Sequence, residues 1–333
     1  MIKEEKIKFF KEATLFLICL IIFMLILNAI YFKVFIEKKQ LYRTEIEFQE
    51  FIRSKGERNI SYLFLGSSHT KDGGNPASIN DSFNIATGGE GTYVFAYYKL
   101  RKIIEKDKIK VGTLVVEIDP HILNDRAYPI PFPTENLWYW SDFFSYKEIK
   151  DITALSHPDY LAQSKLYFMN GAKDFNIFLN KEEKSETFRG WNLNENNLSN
   201  EKDPKDYADQ YFKVTFKNIN SSLNLIGTDY LLRIAKLAKN NNASIVLVKY
   251  PLSKEYIERI DESGFDQNNY YKNIFSLLEK NGIGYKFLDY QEIFQNSDYF
   301  ADVGHLNAEG AGVFSSLMER DIKKNNMTTI ANF

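Results

Sequence analysis

Between Glu12 and Lys33 the chain carries no charged residue, and residues 13 to 32 read ATLFLICLIIFMLILNAIYF. About 20 apolar residues is what one helix needs to cross the hydrocarbon core, so this run predicts a single transmembrane helix over 13–32. A buried core helix would be shorter and would show a polar stripe, which here is limited to Thr14 and Asn28. A cleaved signal peptide would have a shorter apolar region ending in small residues, whereas this run continues into Tyr31, Phe32, Lys33 and Val34. Bulky Ile18 and the apolar half-span after Cys19 speak against lipid attachment at that cysteine. Basic residues flank both ends, Lys3, Lys6, Lys8 and Lys11 before and Lys33, Lys38, Lys39 and Arg43 after, so charge sets no orientation. The expected order is a tail over 1–12, the span, a charged and mildly helical stalk over 33–60, and a globular domain over 61–333.

From Ser61 onward short apolar runs alternate with longer helical ones, the pattern of an α/β fold. Buried parallel strands are predicted at Tyr62 to Leu65, Ser82 to Ile85, Thr113 to Ile118, Ser244 to Val248 and Tyr285 to Leu288. Helices are predicted at Thr92 to Glu105, Thr228 to Lys239, Gln267 to Glu279 and Ala308 to Lys323, with Asn281-Gly282 stopping the third. Five strands with these crossovers make a doubly wound parallel sheet. The stretch of about 121–225 is too long for a crossover and rich in Asn, Pro and aromatics, so an inserted cap is expected there. Its Pro129-Ile130-Pro131-Phe132-Pro133 and Trp138-Tyr139-Trp140 either pack internally, the commoner role of such clusters, or line a groove or the membrane interface.

The 42 basic and 44 acidic residues are spread along the chain, giving a formal net charge of -2. No basic block exists to neutralise phosphates, which argues against a nucleic-acid partner. Four histidines, His69, His121, His157 and His305, lack HExxH or paired spacing, and one cysteine cannot build a thiolate site, so no metal and no cofactor is expected.

In an open parallel sheet, ligands bind beyond the carboxyl ends of the strands, and the first strand delivers Gly66-Ser67-Ser68-His69-Thr70 to that edge. Gly66 allows a tight exit, and Ser68 can project from the turn beside the free N–H groups of a helix start. The same serines and threonine also suit plain N-capping. Near the other end, Phe300-Ala301-Asp302-Val303-Gly304-His305-Leu306-Asn307 follows the last strand. Asp302 can there reach the His305 Nδ1, leaving Nε2 to take a proton from a serine. A surface loop with Asn307 capping the final helix is the plainer reading, and the two are compatible.

These residues resemble the SGNH (GDSL-like) hydrolases, whose nucleophile follows strand one in a Gly-Asp-Ser-type block and whose last block reads Asp-x-x-His. The similarity runs from Ser61 to about Lys324, outside the cap. It implies a three-layer α/β/α fold with Ser68 as nucleophile, Ser67 standing where the family has aspartate, His305 as base and Asp302 as its partner. Phe83 to Gly91 looks like the second block, which implies the Gly89 N–H as an oxyanion donor beside that of Ser68, with Gly88 and Gly91 as near alternatives. The third block departs: where Gly-x-Asn-Asp would supply an asparagine donor, the chain has Val116-Glu117-Ile118-Asp119-Pro120-His121. An α/β-hydrolase would need Gly-x-Ser-x-Gly, and Thr70 occupies the last glycine's place.

One membrane span followed by Gly-Ser-Ser and Asp-x-x-His-Leu blocks looks most like the DltD-type proteins of cell-envelope O-acylation. That resemblance implies a single-pass protein whose catalytic domain works outside the membrane beside a polytopic O-acyltransferase. An acetyl or D-alanyl group would pass through Ser68 to a teichoic acid or polysaccharide hydroxyl. Two alternatives are an extracytoplasmic esterase or deacetylase using the same residues, and a catalytically silent glycan-binding scaffold.

Overall fold

The computed structural model describes residues 2–87, 93–123, 137–145, 147–148, 187–200, 203–215 and 223–324. It divides into two compact units, Met1–Glu45 with Phe132–Glu183, and Ile46–Pro131 with Lys184–Phe333.

The first unit contains helix α1, Ile2–Val34. Leu15, Phe16, Leu17 and Ile18 are all exposed, as are Ile21, Ile22 and Phe23. Consecutive exposed apolar residues cover every face of a helix, so the 15–23 stretch of α1 has no side turned toward a protein core, whereas Tyr31 near its end is buried. Thr14 donates its hydroxyl to the Phe10 carbonyl at 2.7 Å, which satisfies that group within the helix. By length and composition, the stretch Glu5–Lys38 can cross a membrane. The charged flanks extend the helix beyond the predicted 13–32, because Lys and Glu are good helix formers. Helix α2, Gln40–Lys55, follows and passes into the second unit at Ile46. A short helix α5, Leu137–Trp140, also belongs to the first unit. Tyr139 and Trp140 are buried, Trp140 against Phe143 with ring centroids 5.7 Å apart, so both pack rather than line a groove. Residues 129–133 and the Trp138 side chain lie outside the described set.

The second unit is built on a five-stranded sheet. Its strands are β1 Asn59–Leu65, β2 Ser82–Asn84, β3 Lys110–Glu117, β6 Ser244–Lys249 and β7 Lys286–Asp289, every pair parallel. They lie side by side in the order β2-β1-β3-β6-β7. A separate two-stranded hairpin, β4 Thr187–Phe188 with β5 Trp191–Asn192, stands inside the cap stretch, where the sequence predicts no strand; Gly190 turns it at φ +79. The helices are α3 Ser68–Gly73, α4 Tyr93–Arg101, α6 Pro204–Thr215, α7 Leu225–Asn240, α8 Lys254–Glu262, α9 Gln267–Lys280 and α10 Ala308–Lys323.

Strand side chains alternate between two cores, one on each face of the sheet. Leu63, Leu65, Leu114, Val116, Ile245 and Leu247 join α4, α7 and α9 on one face. Phe64, Val115, Val246 and Val248 join α6, α8 and α10 on the other. Strands buried on both faces read as continuous apolar runs, which is why SIVLVK needs no polar alternation. Asn224, Ser253, Asp266 and Asn307 cap α7 to α10 through their side chains. The expected stop at Asn281-Gly282 is present, with Gly282 at φ +63. Within the stretch expected as a stalk, Phe48 and Ile52 of α2 are buried in the first of these cores, and β1 starts at Asn59. Strand order reverses at β1 and β3, so the crevice beyond their carboxyl ends is where this topology places a ligand.

Candidate active site

Three segments reach that crevice. Strand β1 ends at Leu65, paired with Val116 of β3, which sets Gly66 and Ser67 beside Glu117. A Cβ on residue 66 would overlap Thr70 Oγ1 and Glu117 Oε2 and approach Glu117 Cβ to 2.7 Å, so only glycine fits this exit. The third segment is the loop before α10. Ser315 of that helix receives the Asn75 N–H at 2.9 Å and donates to the Gly73 carbonyl at 3.0 Å. This pins α10 to the end of α3 and carries the 302–305 loop against Ser68.

The predicted residues meet there. Ser68 Oγ lies 2.8 Å from His305 Nε2. His305 Nδ1 lies 2.8 Å from both Asp302 oxygens. Asp302 Oδ1 also accepts the N–H groups of Gly304 at 2.8 Å and His305 at 2.9 Å, so the loop backbone fixes the carboxylate. Tyr211 of α6 stands edge-on to the His305 ring, centroids 5.8 Å apart. Asn307 caps α10 while the loop does this, so both expected uses of the segment coexist. Ser68 opens α3, and its N–H has no acceptor within the helix. Gly88, Gly89 and Gly91 lie outside the described residues.

Ser67 has a different job. Its Oγ donates to Glu117 Oε1 at 2.6 Å and meets His121 Nε2 at 2.8 Å, while its N–H donates to Glu117 Oε2 at 2.7 Å. Thr70 adds its N–H at 3.1 Å and its hydroxyl at 2.6 Å to the same Oε2. Four donors thus converge on one fully buried carboxylate and hold the turn that presents Ser68. Asn84, at the end of β2, ties down the other end of α3 by donating to the Thr70 carbonyl at 2.7 Å and the Gly74 carbonyl at 2.8 Å.

A second Asp–His pair lies alongside. His69 Nδ1 is 2.7 Å from Asp119 Oδ2, and the Tyr250 N–H donates to Asp119 Oδ1 at 3.1 Å. The His69 ring is 4.4 Å from that of His121 and 5.1 Å from that of His305. Three of the four histidines are therefore neighbours in space, although no spacing in the chain announces it.

The two pairs ionise in opposite ways. Burial is the largest single influence on both members of the Asp302–His305 pair and acts against charge. The partner's hydrogen bond and charge, together with the Gly304 and His305 N–H groups at Asp302 and with Asp72 and Glu117 at His305, outweigh it, lowering the Asp302 pKa and raising that of His305 above 6.5. Burial dominates at the other pair, pushing Asp119 up to about 8 and His69 down to about 4. His121 is likewise pulled down to about 3, by burial and then by its His69 neighbour. At neutral pH His305 is backed by a carboxylate, whereas the His69–Asp119 pair is uncharged, with the Asp119 proton shared toward an unprotonated ring. Only the first pair has the ionisation that a serine's base needs.

His69, Glu117, Asp119 and His121 also bring one possible ligand atom each within 4.8 Å of one another. The spacing of the histidines in the chain gives no sign of this donor set. Glu117, Asp119 and His121 are not among the site residues that the sequence points to; a glutamate closing the apolar run of β3 is the available signal.

One family model matches residues 208–327, from α6 to just beyond α10, and carries no descriptive name. No curated protein matches the chain. Nine solved chains match it. Among them is the crystal structure of a Bacteroides fragilis protein provisionally named an acylhydrolase. It is 12% identical, covers 83% of this chain and 95% of its own, and superposes with a TM-score of 0.37. At that score the likeness carries no weight, and the chemistry must be read from the side chains.

Proposed function

We propose that this chain is a membrane-anchored serine enzyme of the SGNH type that transfers an acyl group through an acyl-Ser68 intermediate. The observation that carries the reading is the hydrogen-bond chain Ser68 Oγ to His305 Nε2 at 2.8 Å and His305 Nδ1 to Asp302 at 2.8 Å. His305 takes the Ser68 proton as Oγ bonds to the acyl carbonyl carbon, and Asp302 stabilises the resulting imidazolium. The oxyanion is met by the Ser68 N–H and that of Gly89. Collapse expels the leaving group, which receives the proton from His305, and leaves the ester on Ser68. An acceptor hydroxyl then gives its proton to His305, attacks the ester and departs acylated, while Ser68 recovers its proton.

The anchor is α1, with the amino terminus in the cytoplasm and the second unit outside. That placement suits a cell-envelope glycopolymer, a teichoic acid or polysaccharide, as acceptor of an acetyl or D-alanyl group, and a polytopic O-acyltransferase as the partner that delivers it. Water in place of the acceptor would make the same site an esterase or deacetylase. A silent scaffold would not require the base-ready ionisation of the Asp302–His305 pair.

A membrane-impermeant fluorophosphonate applied to intact cells tests nucleophile and topology together. Wild type and Ser67→Ala should be labelled and Ser68→Ala should not. Labelling of Ser68→Ala equal to wild type refutes the nucleophile assignment, and labelling only after lysis inverts the topology. Polymer-bound acyl product, against free acid, separates transfer from hydrolysis.

A further inference from the structure

Four buried or half-buried side chains beside Ser68 take no part in the acyl-transfer steps, and all four are metal-ligating types. We propose that His69 Nδ1, His121 Nε2, Glu117 and Asp119 bind one divalent transition-metal ion of the zinc class.

The geometry is close to what an ion requires. Donors about 2.1 Å from a tetrahedral ion stand roughly 3.4 Å from one another. Here Glu117 Oε1 is 3.4 Å from His121 Nε2 and 3.8 Å from His69 Nδ1, and Asp119 Oδ2 is 2.7 Å from His69 Nδ1. Shifts well under the width of an atom would bring the four around a common centre. Two imidazoles with two carboxylates is a mixed nitrogen and oxygen set that suits zinc, cobalt or iron(II) and is too nitrogen-rich for magnesium or calcium.

The surroundings hold the ligands as an outer shell does. Both Glu117 oxygens are oriented by Ser67 and Thr70, and Asp119 Oδ1 by the Tyr250 N–H, leaving Asp119 Oδ2 directed at His69. Among the described residues no lysine or arginine forms an ion pair with Glu117 or Asp119. Lys249 acts on Asp119 from a distance and is itself paired with Asp289 at 3.5 Å. A dication would place positive charge beside the buried Glu117 carboxylate and would take Asp119 as a ligand with release of its proton. Entry is past His121, whose side chain is 19% exposed. The site shares no atom with the Ser68–His305–Asp302 chain, so the proposal stands or falls apart from the acyl-transfer reading.

The test uses the full-length chain in detergent, stripped with a chelator and dialysed against Zn²⁺ or Co²⁺ alone. Wild type should retain close to one ion per chain, raise its Tm saturably at one equivalent, and show a Co²⁺ ligand-field spectrum of low coordination number. Glu117→Gln is the decisive variant because it need not disturb the turn. Its amide oxygen can still accept from Ser67 N–H, Thr70 N–H and Thr70 Oγ–H, and its NH₂ can donate to Ser67 Oγ. It should melt near the metal-free wild type and lose at least about 10-fold in metal affinity. If that variant fails to fold, X-ray absorption of Zn²⁺-loaded wild type should still count two imidazole nitrogens. Wild type without stoichiometric metal overturns the site. So does a folded Glu117→Gln that binds as wild type, or a bound ion without imidazole ligands.

Discussion

Replacing Asp302 by asparagine separates the shape of the 302–305 loop from its chemistry. Asp302 Oδ1 accepts two backbone N–H groups, from Gly304 at 2.8 Å and His305 at 2.9 Å, and the imidazole sits 2.8 Å from each oxygen. An asparagine must choose which atom faces the backbone. Turning its NH₂ that way leaves two enclosed N–H groups without an acceptor, at about 1–3 kcal/mol each. The amide oxygen therefore takes the Oδ1 place, the loop keeps its form, and the NH₂ takes the Oδ2 place against His305 Nδ1. That NH₂ donates, so Nδ1 must accept and the ring proton moves to Nε2. Nε2 then donates to Ser68 Oγ and can no longer receive its proton. Loss of the carboxylate also removes the charge that stabilises imidazolium. The corresponding change in a serine protease triad, on a different fold, costs about 10⁴ in turnover. We expect a fall of at least about 10² here, equivalent to roughly 2.7 kcal/mol in the barrier. The assay is turnover of a chromogenic acyl ester beside a thermal melt, with Ser68→Ala and the double variant in parallel. Residues of one triad act as a unit, so adding Asp302→Asn to Ser68→Ala should cost almost nothing further. Near wild-type turnover by a folded Asp302→Asn would refute the assignment of Asp302 as the carboxylate behind the base.

Three further outcomes are expected. Ser67→Ala should keep fluorophosphonate labelling but lower stability by about 1–3 kcal/mol, because Glu117 loses one of its four donors; an unchanged Tm would show that Ser67 does not hold the turn. Gly66→Ala should cost about 3 kcal/mol or more by denaturant titration, since the added methyl overlaps Thr70 and Glu117, and a variant within about 1 kcal/mol of wild type by the same titration would contradict the packing at this exit. Turnover should fall on acidification with a midpoint above pH 6.5, because the base must be neutral and its partner raises its pKa. In Asp302→Asn any residual limb should move to lower pH, and a limb unmoved by that substitution would mean another group titrates.

The sheet is legible in the sequence because strands buried on both faces cannot alternate. Each of the five predicted apolar runs overlaps a strand, and Ala308–Lys323 matches its helix end to end. Helix α8 escapes such a reading because KEYIERIDE buries only Tyr256 and Ile260, a stripe two residues wide on an otherwise charged segment. Its Ser253 cap is the readable sign. Helix α2 has the same character: charge along QLYRTEIEFQEFIRSK hides the fact that Phe48 and Ile52 reach the core. Such helices are set by tertiary burial of a few side chains, and local periodicity is faint when the buried face is narrow.

Ser68, Asp302 and His305 can be located in the chain because each belongs to a local block beside a strand end or a helix cap. Glu117, Asp119 and His121 cannot, since their partners lie about fifty residues away and meet them only through the β1–β3 register that sets Gly66 beside Glu117. Spacing within one helix is silent about this cluster for the same reason, because His69 comes from one strand end and Glu-x-Asp-x-His from another. Glu117 closes β3 as an acceptor beside the serine turn, and it is not left bare there. Its charge is instead spread over four donors from Ser67 and Thr70. Glu117 is thereby the anchor of the turn that presents Ser68.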